Sequence, residues 1–336
     1  MKKLAKLLLL PALLLSGELE SMDISLDLDD VSKPYSYKGY IKPEVYFIDD
    51  RDQYTRFKSE LNFEGDYKKD LWYFKLNWSG YYQADKYDES IFGVLNEGYV
   101  KYGDVNKNLT LGKELLKWGK GYAYSAVSFF TRDKNPLYPE DLKNGYEMVH
   151  LKFINTLKGA VKNYALDLIY LPSTDTLNSS LQKSQNWGGK LYFLYNDIDI
   201  DLMFEKSNFY PDKYGGDFSF NVVDELEIHG EAAVDVDNNS SFLLGGKYAS
   251  VYDYTLTFEW YKRWDENRIV YLKLSQKDFL IDYLTAYVTA VRNYTHDMNS
   301  LLIGSSYDFK NNFVMLGEYL TSTKEKYLRV ALSYYF

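Results

Sequence analysis

The sequence predicts an all-β fold: a transmembrane antiparallel β-barrel of about 18 strands, with 16 as the alternative count. Three observations carry this expectation. Apolar and polar residues alternate with period two along most of the chain, which is the signature of strands with one greasy and one wet face. Aromatic residues are in excess, with 35 Tyr, 19 Phe and 6 Trp in 336 residues. Such residues favour strands and collect at membrane–water interfaces. Beyond the amino-terminal segment, no apolar run is long enough to cross a bilayer as a helix.

The chain opens with Lys2, Lys3 and Lys6, followed by an apolar run from Leu7 to Leu15 and the small residues Ser16 and Gly17. This pattern reads as a secretory signal peptide over 1–21, cut between 17 and 21, with an uncleaved anchor as the alternative. Residues 22–36 then form an amino-terminal periplasmic segment and 37–336 the barrel. Loss of the three lysines takes the net charge from -9 to -12. An acidic chain lacks the basic surface that nucleic acid requires. The chain has no Cys. That excludes a disulfide framework, an Fe–S cluster, a thiolate zinc site, a Cys nucleophile and an acylated lipoprotein anchor. No cofactor is implied.

Taken in order, the strand cores are expected at 38–48, 54–66, 71–83, 93–103, 108–117, 145–155, 159–171, 187–195 and 198–207. The second half supplies 216–223, 225–235, 241–249, 253–262, 268–276, 279–292, 299–308, 312–321 and 326–336. In the second strand Phe57, Leu61 and Phe63 oppose Lys58, Glu60 and Glu64. The third shows the pattern best, with Trp72, Phe74, Leu76, Trp78 and Tyr82 opposing Tyr73, Lys75, Asn77, Ser79 and Tyr81. The ninth sets Ile198, Ile200, Leu202 and Phe204 against Asp197, Asp199, Asp201 and Glu205. The eleventh sets Leu226, Ile228 and Val234 against Glu227, His229 and Glu231, and the thirteenth sets Phe258 and Trp260 against Glu259. The segments 94–103 and 312–320 alternate less clearly.

A membrane barrel fits better than a soluble sandwich for two reasons. From Trp72 to Tyr82 the aromatic face climbs roughly 25 Å at the usual rise and tilt, so the two ends would reach the two interfaces. Trp72, Trp78, Tyr82, Trp260, Tyr334 and Phe336 are accordingly expected in the aromatic girdles. The odd-to-even connections also read longer (84–92, 118–144, 172–186, 208–215, 236–240) than tight turns such as Asn196-Asp197, as outer loops do relative to periplasmic turns.

The last strand, KYLRVALSYYF, places Leu328, Val330, Leu332, Tyr334 and Phe336 on one face. This terminal strand resembles the assembly signal of Gram-negative outer-membrane β-barrels. The resemblance implies an outer-membrane location among lipid and lipopolysaccharide, and recognition of the final strand by the barrel-insertion machinery. A second stretch, GKELLKWGKGYAYSAVSFF followed by NPLYPEDLKNGYEMVHLKF, resembles a segment of the porin-like superfamily. There a strand leads into W-G-x-G and then an aromatic loop. In such barrels the third outer loop folds into the lumen, and here the third outer connection is 118–144. The resemblance implies passive diffusion of small hydrophilic solutes and allows a homotrimer.

A loop longer than twenty residues is uncommon unless it is functional. Phe129, Phe130 and Tyr138 could pin it to the inner wall. Lys117, Lys120, Arg132, Asp133, Lys134, Glu140, Asp141 and Lys143 supply both signs of charge for a pore constriction. The alternative is a surface loop over the barrel mouth. Lumen-facing candidates are Lys58, Glu60, Glu64, Lys75, Glu97, Lys101, Asp199, Glu227, Glu231, Glu259 and Arg329. Arg is scarce among them, so the acidic excess faintly favours cations or neutral solutes. The Tyr excess also admits sugar stacking. Two other classes remain open: a polysaccharide-export or surface-assembly barrel without an open general pore, and an outer-membrane lipase or protease built on His229 or His296, the third histidine being His150. No G-x-S-x-G or H-E-x-x-H motif supports the latter. The acidic stretches at 27–31 and 235–240 lack EF-hand spacing and read as solvated turns or tails, so no metal site is expected.

Overall fold

The computed structural model describes residues 33–49, 53–141 and 143–336. The expected signal peptide, most of the 22–36 segment and the 27–31 acidic stretch lie outside the described residues.

Eighteen strands follow in order: β1 Tyr35–Ile48, β2 Tyr54–Lys69, β3 Trp72–Ala84, β4 Glu89–Gly103, β5 Lys107–Glu114, β6 Tyr146–Thr156, β7 Val161–Ser173, β8 Ser184–Tyr195 and β9 Ile198–Ser207. Then come β10 Lys213–Val223, β11 Leu226–Asp235, β12 Ser240–Ala249, β13 Tyr254–Lys262, β14 Arg268–Gln276, β15 Leu284–Asn293, β16 Met298–Asp308, β17 Phe313–Ser322 and β18 Lys326–Tyr335. Each pairs antiparallel with the next, and β1 pairs with β18, so the single 18-stranded sheet closes into a barrel. The seam runs from Tyr40 opposite Tyr335 to Ile48 opposite Tyr327. Gly39 and Phe336 extend it with two reciprocal backbone hydrogen bonds of 2.9 and 3.0 Å.

The two faces of the wall are inverted relative to a soluble domain. Leu61, Phe63, Trp72, Phe74, Leu76 and Trp78 are exposed outward, whereas Glu60, Asn62, Asn77 and Ser79 are buried inside. Two bands of aromatic contacts ring the outer face. One includes Trp72 with Tyr102, ring centroids 4.7 Å apart, and Phe313 with Tyr334 at 4.8 Å. The other includes Phe57 with Tyr82 at 5.9 Å and Phe242 with Trp260 at 4.8 Å. Trp72 and Tyr82 therefore stand at opposite rims, and Trp260, Tyr334 and Phe336 belong to these bands. Trp78 does not. It pairs with Phe63 and Leu95 at mid-strand, where Gly80 and Gly93 leave room for its indole ring.

Turn chemistry explains the tight rim. Asn196 and Asp197 both adopt positive φ, 47° and 66°, as the two-residue hairpin between β8 and β9 requires. The 104 carboxylate caps its own turn, accepting the backbone N–H groups of Asn106 and Lys107 at 2.8 Å each. The Asp235 carboxylate likewise accepts Asp237 and Asn239 N–H, making 235–240 a solvated turn.

Two strands fall short of expectation by three residues or more at one end. β5 stops at Glu114 rather than 117, because the chain leaves the wall and buries Leu116 and Trp118 inside the lumen. β15 starts at Leu284 rather than 279, because Leu280 and Tyr283 take positive φ in a turn capped by Asp278. The loop-length asymmetry also rests on fewer connections than expected. Only 115–145 and 174–183 are long; the remaining odd-to-even connections are as short as the opposite turns.

Candidate functional site

The third odd-to-even connection, 115–145, folds inward and crosses the lumen. Its first part forms a core against β6–β11: Leu116, Trp118, Val127 and Phe130 pack with Met148, Ile169, Leu171, Met203 and Ala233, and Phe129 lies alongside. Ala126 and Tyr124 pack with Leu243, Tyr261 and Ile269 of β12–β14. Leu137 and Tyr138 then reach the seam side, against Ile48, Leu302, Leu320 and Tyr327. The aromatic residues expected to pin the loop do so.

Two buried carboxylates hold the first part by its backbone. Glu231, 3% exposed, accepts the N–H groups of Lys120 and Gly121 at 2.6 Å each, the Ser125 hydroxyl at 2.8 Å and the Ala126 N–H. Glu259, fully buried, accepts the N–H groups of Tyr122, Ala123 (3.0 Å) and Tyr124 (3.2 Å). Consecutive amides turned toward one anion form a nest, and charge-assisted bonds of this kind are roughly twice as strong as neutral ones. The W-G-x-G sequence makes the nest possible. Gly119 has φ +93°, and a Cβ there would lie 2.7 Å from the Glu231 carboxylate and 2.3 Å from the Ser125 hydroxyl.

Lys134 Nζ closes the turn by donating to the carbonyls of Gly121 (2.6 Å) and Tyr122 (3.2 Å); burial depresses its pKa. Lys120 reaches Asp201 at 3.1 Å and Asp217 at 3.9 Å. Burial alone would lower its pKa, but these two acids raise it. The second part is held by side chains. Tyr138 donates to Glu318 at 3.1 Å and meets the Tyr327 hydroxyl at 3.1 Å; Lys143 donates to Glu60 at 2.9 Å and to Tyr40. Glu318 also belongs to a buried cluster with Arg329 and Glu44.

The expected constriction residues do not share one eyelet. Lys117, Lys120, Lys134 and Glu140 line a cavity of about 500 Å³ against β12–β14. Asp141 lines a second, of about 450 Å³, with Lys58, Glu60 and Arg329 on the seam side. Arg132 and Asp133 line a third of about 160 Å³, where Asp133 faces Arg263 at 3.7 Å and Arg132 lies over the Tyr146 ring at 4.3 Å. The opposed charges expected across a single ring are instead spent largely as fasteners, because the loop touches three wall segments.

The expected lumen residues do face inward. Lys75 joins Glu64 (3.3 Å) to Glu97 (3.0 Å), Lys101 lies between the Tyr73 and Tyr99 rings, and Lys58 covers Tyr46. A bulge between β3 and β4 turns Asn96 inward beside Glu97. What sequence reasoning missed is that Glu231 and Glu259 hold the loop rather than line water. No sequence signal separates these two from the other lumen-facing acids. His229 lies 3.5 Å from Glu227 and 3.4 Å from Glu259, and His150 is bracketed by Glu114 and Asp167 at 2.9 Å each. His296 sits in the β15–β16 turn, its N–H bonded to Asn293.

A closed antiparallel barrel with an apolar outside, a polar inside and its third odd-to-even connection folded into the lumen is the fold of porin-like outer-membrane β-barrels. Among solved structures, mutant forms of the porin of Rhodopseudomonas blastica are similar at 14% identity and TM-score 0.53, covering 90% of this chain and 100% of theirs. Wzi of Escherichia coli, described as an outer-membrane protein involved in group 1 capsule assembly and a carbohydrate-binding β-barrel, is similar at 9% identity and TM-score 0.62. That match covers 90% of this chain and 84% of Wzi. No family model matches, and no curated protein does.

Proposed function

We propose that this protein is an outer-membrane channel, exported by its signal peptide, in which the inward loop turns a wide barrel into a narrow path for small hydrophilic solutes. Barrels of this strand number otherwise enclose an aqueous lumen. The observation that carries the reading is the loop's position. It crosses the lumen on non-covalent fasteners and has charged, hydroxyl-rich cavities on either side. Passage is passive; the selectivity resides in what those cavities accept. Both buried histidines face carboxylates at each ring nitrogen, an arrangement suited to holding the wall together rather than to activating a nucleophile.

The test is conductance of the purified protein in planar bilayers, beside a variant in which 120–141 is replaced by a short Gly-Ser linker. Small conductance that rises several-fold in the variant is the expected outcome. Silence of both after verified insertion overturns the reading. The density of loop–wall contacts and the likeness to Wzi favour a second reading, a sealed barrel that serves surface assembly. Silence of the natural protein with conductance only in the variant selects it.

A further inference from the structure

We infer that the cavity between the loop and β12–β14 is a binding site for a small anionic sugar, a polyhydroxylated ligand carrying a carboxylate or phosphate. The inference deepens the channel reading, since it requires that the lumen be reachable from bulk water.

The wall half of the site is set by strand register. Lys247 of β12, Thr257 of β13 and Lys273 of β14 stand directly opposite one another in a cross-strand row. With strands about 4.8 Å apart, the two lysine backbones are roughly 10 Å apart and bracket the Thr257 hydroxyl. Two pairs further along, on the same face, Thr255 faces Ser275. The loop half supplies Lys117 and Lys134.

The charge balance of this cavity departs from that of the chain. Lys120 is matched by Asp201 and Asp217, and Lys273 meets only the exposed Glu140, at 3.4 Å. Among the described residues Lys117 has no ion-pair partner; Lys247 lies over the Tyr122 ring at 4.8 Å and stands opposite Glu227 in the β11–β12 register. Lys134 gives two of its three N–H donors to loop carbonyls and keeps one. Glu231 and Glu259 are engaged by the loop amides, and Glu227 is shared between the Tyr122 hydroxyl at 2.8 Å and Lys247 opposite it. A surplus of lysines over acids next to a row of hydroxyls matches an anion that also carries hydroxyl groups. The volume lies within the range of small-molecule sites. The acidic excess of the whole chain therefore does not describe this cavity.

The experiment is titration calorimetry on the intact barrel in detergent, with glucuronate, glucose 6-phosphate, glucose and inorganic phosphate as probes. Glucuronate or glucose 6-phosphate should bind, and glucose should bind at least about tenfold more weakly, the value of one lost charged contact. Lys247→Gln and Lys273→Gln should each weaken the charged sugar by a similar factor, whereas Lys58→Gln, in the other cavity, should leave it unchanged. Glucuronate against glucose 6-phosphate identifies the anionic group. Equal binding of glucose, equal binding of inorganic phosphate alone, or indifference to both lysine substitutions overturns the inference. Because detergent exposes both mouths, binding does not depend on conduction: conductance without binding removes the site and leaves the channel, and binding without conductance does the reverse.

Discussion

The two halves of the inward loop are held in different ways. From 119 to 127 the backbone itself is gripped, amide by amide, by Glu231 and Glu259. From 133 to 143 the chain touches the wall mainly through side chains: Asp133 to Arg263, Tyr138 to Glu318, Glu140 to Lys273, Lys143 to Glu60. A buried carboxylate with its amides cannot be exchanged for water without leaving orphaned donors. The exposed pairs made by Asp133 and Glu140 can be, because solvent replaces either partner at little cost. The first half is thus a fixed clamp and the second an adjustable one.

The strongest way to break this contrast is Glu231→Ala with Glu259→Ala. Several amides lose a charged acceptor, each worth about 1.5–3 kcal/mol. Limited proteolysis should cut 119–127 readily and conductance should rise several-fold; an unchanged digestion pattern would remove the clamp from the account. Gly119→Val should come next, since it forces a β-branched residue into φ +93° against Ser125 and Glu231. A loss of about 2–3 kcal/mol is expected, read as a lower thermal midpoint with the barrel's far-ultraviolet signal intact below it. Tyr138→Phe removes two hydrogen bonds from the seam side and should cost about 1 kcal/mol, seen as noisier open-channel current without a change in mean conductance. Asp133→Asn should change stability by less than about 0.5 kcal/mol, since the aspartate is 78% exposed and its partner Arg263 50%. A large effect there would contradict the division into fixed and adjustable halves.

The strand plan was legible because lipid outside and water inside enforce alternation at every step; even β4 and β17, where the pattern weakens, fall within a few residues of expectation. The ends of β5 and β15 were not, because burial of Trp118 and the αL turn at Leu280 are tertiary events. The length and aromatics of the loop marked it out, but left an inward course and a surface loop over the mouth both open. Its fastening was not legible: Glu231 and Glu259 are written in the sequence like Glu227 or any other lumen-facing acid, and only the fold brings residues more than a hundred positions away onto them. Trp78 misled for a simpler reason, since alternation gives the face of a side chain and not its height.

The seam carries a further consequence. Tyr35–Ile48 and Lys326–Tyr335 are neighbours in the ring yet lie at opposite ends of the described sheet in sequence. Until they meet, the wall has a slot along its full height, with unpaired amides and carbonyls on both lips facing hydrocarbon. The entropy of joining so distant segments falls on that one event. Sealing is therefore all-or-nothing, and a lesion in either lip should cost the molecule its entire circumference rather than a single stave.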